Sequence, residues 1–203
     1  MRSSIPMLIL VKSGKTNYFL NGISMSRIDI DLNPVTLITV DAIGKPGERV
    51  FYLQGKGSDQ VITLLVEKFQ IQTMALAIEN LMSELREKTP DLAEATPNYK
   101  EEDMTLKPPL DPLFRVGELS LGYDPEQDLM VLIAKEVPMD APDATGEVLS
   151  EVRFWCTRSQ LWSMSRWGIE LASRGRPVWP STGEPILPPG EFSPKNNGHK
   201  TTP

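Results

Sequence analysis

The sequence predicts an α+β fold built on antiparallel strands, and three observations carry that expectation. Strand-like stretches are grouped ahead of helix-like ones instead of alternating with them, the order of α+β proteins rather than of parallel α/β sheets. Each of two such groups closes on apolar residues at three- and four-residue spacing, Ile71 to Leu85 and Leu161 to Leu171. The turns between neighbouring strands are short and carry Gly, Pro or Asp, which suits hairpins.

The chain is arranged around Gly44 to Gln54, GKPGERVFYLQ. Lys45, Pro46 and Gly47 supply a reversal, since proline presets one backbone angle and glycine accepts a positive one. Val50 to Leu53 is apolar or aromatic throughout, as expected of a central strand covered on both faces. Ile28 to Leu32 and Thr36 to Asp41 read as strands before it. After it, the Gly55 to Asp59 turn leads into Gln60 to Glu67, and so short a link predicts antiparallel pairing.

Ile71, Met74, Ile78, Leu81 and Leu85 then form one stripe of a helix that Pro90 ends. Thr89 to Pro112 holds Pro90, Pro97, Pro108, Pro109 and Pro112 without periodicity, and reads as a connector lying over the surface or hanging free. Strands resume at Leu113 to Tyr123, turn at Asp124 to Asp128 and return through Leu129 to Val137. An acidic loop, Pro138 to Gly146, leads to Val148 to Cys156. Thr157 and Gln160 have capping-box spacing, Leu161, Met164, Gly168 and Leu171 form the inner face of the helix they start, and Gly175 with Pro177 ends it. Two halves thus share a plan of strands followed by a helix.

With 203 residues, 40% of them hydrophobic, the chain can bury one core. We divide it into an N-terminal extension at 1–26, an α+β domain at 27–175 and a tail at 176–203. Met25 is a candidate start, which would make the first 24 residues an upstream extension. A net charge of -6 is the opposite of what an electrostatic nucleic-acid binder needs, so no nucleic-acid partner is expected. The single cysteine, Cys156, excludes an internal disulfide and points to the reducing cytoplasm. The apolar run Ile5 to Val11 falls far short of the roughly 20 residues of a membrane span. Gly14-Lys15-Thr16 resembles the end of a phosphate loop, but Ile9 stands where that motif needs glycine.

The blocks GKPGERVFYLQ, LVEKFQI at Leu65 to Ile71 and FRVGELSLGYD at Phe114 to Asp124, followed by GRPVWPSTGEPILPPGEFSPKNNGH at Gly175 to His199, resemble domain-of-unknown-function family 3090, a bacterial family best known from actinobacteria. The resemblance runs from about Ile28 onward and implies no particular reaction. It also implies a C-terminal cysteine/histidine knuckle with the look of a zinc site. Here the corresponding positions are Trp179, Thr182, Glu191 and Ser193, none a thiolate or imidazole, so no metal and no cofactor is expected.

Recognised catalytic constellations are missing from the sequence. The one histidine, His199, lies close to the C-terminus, and Cys156 has no evident base nearby. Arg49, Arg115 and Arg153 each stand near a strand start. Were Arg115 and Arg153 to meet at one end of the sheet, they could bind a phosphate or carboxylate, with Glu67 and Lys68 beside them. Trp162 stands four residues from both Arg158 and Arg166, a spacing that lets the cations stack on the indole; with Trp179 these form a candidate protein-partner face. The expected function is a soluble, cytoplasmic, non-catalytic binding or protein-interaction module. The alternative is an anion-handling enzyme or small-molecule sensor built on the strand arginines.

Overall fold

A computed structural model describes residues 28–45, 47–137 and 149–174. In chain order these form β1 (Asp29–Leu32), β2 (Leu37–Ile43), β3 (Val50–Lys56), β4 (Val61–Val66), α1 (Lys68–Lys88), β5 (Pro112–Asp124), β6 (Leu129–Glu136), β7 (Glu151–Thr157) and α2 (Arg158–Ser173). A short 3-10 turn at Glu101–Met104 interrupts the connection between α1 and β5.

All seven strands join one sheet in the order β1-β7-β6-β5-β4-β3-β2. The hairpins β2–β3, β3–β4, β5–β6 and β6–β7 are antiparallel as expected. The sheet is nevertheless mixed, because β1 runs parallel to β7 and β4 parallel to β5. The α+β class therefore stands and the antiparallel expectation does not. Between β4 and β5 lies a whole helix plus a long strap, enough chain to return in the same direction. Sequence neighbours say nothing about β1, whose partner lies more than 120 positions away. The two halves are thus not separate units, and the strand expected at the centre, β3, is second from an edge with Val50 45% exposed.

The strand order carries a geometric consequence. Seven strands at about 4.8 Å spacing would hold the edges of a flat sheet about 29 Å apart. Yet those edges, β1 and β2, are joined by only Asn33 to Thr36, which reach about 18 Å at full extension. The sheet must curl. Its two ends are tied where Val35 N–H donates to Trp155 O at 2.7 Å and Thr36 N–H to Lys56 O at 2.7 Å. Inside the curl, Gly55 of β3 leaves room for the Phe154 ring of β7, which an added Cβ would overlap. Val40, Leu53, Leu64, Leu132 and Phe154 are all 0% exposed in that interior. Each contributes about 1.5–3 kcal/mol by burial.

Both helices pack on the concave side. Contacts that rise along one and fall along the other make them antiparallel: Gly168 faces Ile71, Ser165 Oγ donates to Ala75 O at 3.4 Å, and Trp162 Nε1 to Glu79 Oε1 at 2.8 Å. The expected capping box of α2 is present, with Gln160 N–H donating to Thr157 Oγ1 at 3.1 Å and Thr157 N–H to Gln160 Oε1 at 2.8 Å. The α1 stripe is buried at Ile71, Met74 and Ile78 but only partly at Leu81 and Leu85.

The proline-rich connection does not hang free. It first runs beside α2, where Ser163 Oγ donates to Asn98 O and Tyr99 stacks edge-on against Trp167. It then crosses the convex face from β2 to β4 on a line of polar side chains. Thr39 Oγ1 donates to Met104 O at 2.6 Å, Gln54 exchanges hydrogen bonds with both Lys107 N–H and O, and Thr63 Oγ1 donates to Pro109 O at 3.1 Å. Thr39, Gln54 and Thr63 are buried because this strap lies over them. Proline-rich backbone has few donors for a ladder, so side chains supply the partners. No described helix is long and apolar enough to cross a membrane.

Candidate ligand groove between α1 and β5

Within β5 the pairing with β6 shifts between Val116 and Glu118, leaving Gly117 as a bulge. One extra residue moves every later side chain to the other face. Phe114 and Val116 point into the core before it. After it Leu119, Leu121 and Tyr123 take the concave side, opposite Ala134, Leu132 and Met130. Glycine is needed here, since a Cβ would lie 2.9 Å from Val137 Cα and 3.2 Å from Glu136 O.

The strand β4 stops at Val66, level with the start of β5, so among the described residues no strand flanks the half of β5 beyond the bulge on that side. The helix α1 passes there instead without closing down. A groove of about 940 Å³ remains between them. Leu119, Leu121 and Tyr123 line the β5 wall, Met74, Leu81 and Leu85 the α1 wall, and Thr73, Ala77 and Asn80 the rim. Phe69, 74% exposed, stands at one end. The volume falls in the range of small-molecule and peptide clefts, and the walls are apolar as such clefts are.

Each end is built by a specific hydrogen-bond set. At the bulge, Gln70 accepts from Glu67 N–H at 2.8 Å and donates to Val116 O at 3.0 Å, so one side chain caps α1 and pins it to β5. At the far end, Tyr123 Oη donates to Asp128 Oδ1 at 2.9 Å, while Arg158 donates to both carboxylate oxygens, at 2.7 and 2.9 Å, and to Ala93 O at 2.7 Å. Asp128 holds a φ of 50° in the β5–β6 turn, a left-handed position that aspartate tolerates. The Arg158 hydrogen bonds hold its carboxyl below the usual range, and burial followed by the Asp128 hydrogen bond raises the Tyr123 phenol. On the convex side of the same strand, Ser120 and then Lys135 hold Glu118 below its ordinary value.

The described residues singled out from sequence fall outside the groove, and Arg115 and Arg153 are not brought together. Arg115 lies on the convex face in an ion pair with Glu67, because the bulge separates it from the face of Leu119 and Leu121. Arg153 sits level with Ser120, five positions further along the sheet. So although β5 and β7 run in the same direction, the two guanidinium groups do not meet. Arg153 is nearly buried among Asp29, Asp31 and Glu151, with Trp155 Nε1 also donating to Asp31 at 2.5 Å. It neutralises carboxylates on adjoining strands and so fastens β1 to β7. Arg49 is half-buried after the β2–β3 turn without an ion pair among the described residues, and Lys68 is exposed at the first turn of α1.

The indole of Trp162 stacks under Arg86 of α1, 5.8 Å away, rather than under the cations of its own helix. Arg158 is turned inward to Asp128, and Arg166 reaches Glu79 at 3.8 Å. Cys156 is fully buried, and desolvation pushes its thiol up to about 12, which holds it in the neutral form at neutral pH. Trp179, Thr182, Glu191 and Ser193, the extension before Ile28 and the Pro138 to Gly146 loop lie outside the described residues.

The groove residues were missed from sequence, though a signal existed. In FRVGELSLGY the apolar positions change parity across Gly117, and an isolated glycine in a strand pattern marks a bulge.

A family model described as "Protein of unknown function (DUF3090)" matches residues 30–193. No curated protein and no solved structure gives a match.

Proposed function

Since the chain belongs to the DUF3090 family, whose description assigns no activity, we propose its role from the site alone: a non-catalytic binding module whose ligand lies in the groove between α1 and the second half of β5. One observation carries this reading. The bulge at Gly117 turns three large side chains toward a helix that does not close over them, leaving apolar walls open to an incoming molecule. The polar groups at the groove ends are engaged in holding its shape, which favours binding over chemistry. The strand arginines support an anion-handling enzyme less well, because Arg115 and Arg153 do not meet and both are matched by carboxylates.

The neutral fluorophore N-phenyl-1-naphthylamine tests the reading. It should bind the native protein at one site and lose that site in Ala77→Arg, which fills the groove from an exposed helix position without disturbing the core. Undiminished binding in that variant would refute the assignment.

A further inference from the structure

We propose that the groove receives an extended peptide segment of a partner protein, added as a strand to the open edge of β5 beneath α1; this rests on the groove being the binding site. The open edge is the first reason. From Glu118 to Asp124 the backbone pairs with β6 on one side, and no described strand or loop pairs with it on the other. Half of its N–H and C=O groups therefore face the groove. A small apolar molecule would bury those groups without partners, whereas a peptide strand satisfies them. Strand addition with pockets for alternate side chains is an established mode of peptide recognition.

Dimensions agree. The open edge of seven residues spans about 20 Å, matching a partner strand of about six or seven residues.

The walls then dictate the partner's pattern. Alternate residues of the added strand would meet Leu119, Leu121 and Tyr123 under the α1 wall, so these should be apolar. The residues between them would lie on the convex face beside Glu118 and Ser120. Of the charged groups lining the groove, Glu84 pairs with Lys88, while Glu118 is 60% exposed and accepts from Ser120 and Lys135 through Oε1 alone. Lysine or arginine at a convex position can reach Glu118 Oε2 as a cross-strand pair. The partner is thus a segment of alternating apolar and polar residues carrying at least one basic side chain.

The test uses the full chain and a panel of nine-residue peptides with Val, Leu or Phe at alternate positions and Thr or Lys between. Each is also made with backbone N-methylation at every second residue, in both phases. In an added strand the N–H groups of one phase point at β5 and those of the other point away. The expected result is binding by members of the panel, a loss of at least tenfold on methylation in one phase only, and slowed hydrogen exchange at β5 amides between Glu118 and Tyr123. Loss in both phases, or in neither, overturns the strand proposal. So does the absence of any peptide binding. If the neutral fluorophore is still bound and is displaced by Ala77→Arg, the groove survives that failure; if neither probe binds there, both readings fall.

Discussion

Gly55→Ala introduces a single methyl group at the point where the curled sheet meets itself. Its Cβ would overlap the Phe154 ring, and that ring is 0% exposed, with no solvent-facing space into which to move. Overpacking of a dense core costs about 1–3 kcal/mol. A fixed aromatic neighbour places this substitution in the upper half of that range. For a chain of this size, about 2–3 kcal/mol lowers Tm by about 4–12 °C. Urea unfolding of Gly55→Ala, Phe154→Leu and the double variant closes a thermodynamic cycle. The smaller leucine frees space for the added methyl, so the double variant should be more stable than the sum of the single losses predicts, with a coupling of about 1 kcal/mol or more. Additive losses, or a Gly55→Ala cost under about 0.5 kcal/mol, would show that β3 and β7 do not meet and that the sheet is not curled as described.

Asp128→Asn tests the far end of the groove. Arg158 holds this carboxyl below its ordinary range, so the pair's contribution is complete above the unfolded value of about 4 and fades as pH falls through the lower folded value. The variant should lose stability at neutral pH and show a flatter acid limb of Tm against pH; an unchanged acid limb argues against the pairing. Gln54→Ala removes the partner of both Lys107 backbone groups beneath the strap. A fully buried group left unpaired costs about 1–3 kcal/mol, and as the two Lys107 groups are partly buried a loss in the lower part of the summed range, about 2–4 kcal/mol, is expected, with faster proteolysis between Lys100 and Asp111. Unchanged cleavage there would mean that the strap is held by other contacts.

The elements themselves were largely legible, because periodicity and capping are local properties. The capping box at Thr157 and Gln160, the apolar stripe of α1 and the β3–β4 hairpin all follow from residues within a few positions of each other. What failed was non-local. Nothing in DIDL names β7 as its partner, and the parallel β1–β7 pairing depends on Arg153 meeting Asp29 and Asp31 from more than 120 residues away. The docking of the strap is illegible for a similar reason: its own composition fits a surface-lying connector and a free one equally, while its anchors Thr39, Gln54 and Thr63 sit in strands where they resemble unremarkable polar residues.

The candidate site shows the same division. Arginines drew notice because charge near a strand end is conspicuous in a sequence, yet Arg115 and Arg153 serve as pairing partners in the folded chain. The groove depends on one parity change at Gly117 and on β4 ending where β5 continues. The first is visible in the sequence to a reader who counts alternation across the glycine. The second requires the sheet order and is available only from the fold.

The most direct measurement of the binding site is methyl NMR of leucine-labelled protein titrated with N-phenyl-1-naphthylamine and with the strongest peptide of the panel. Leu81, Leu85, Leu119 and Leu121 line the groove, while Leu53, Leu64 and Leu132 are buried in the core behind it and Leu110 and Leu113 lie on the exposed start of β5 and its strap. Binding at the groove predicts saturable shifts in the first four that Ala77→Arg abolishes, with little change at the others. Saturable shifts centred on Leu110 and Leu113, or shifts at the groove leucines that persist in Ala77→Arg, would contradict the assignment of the site.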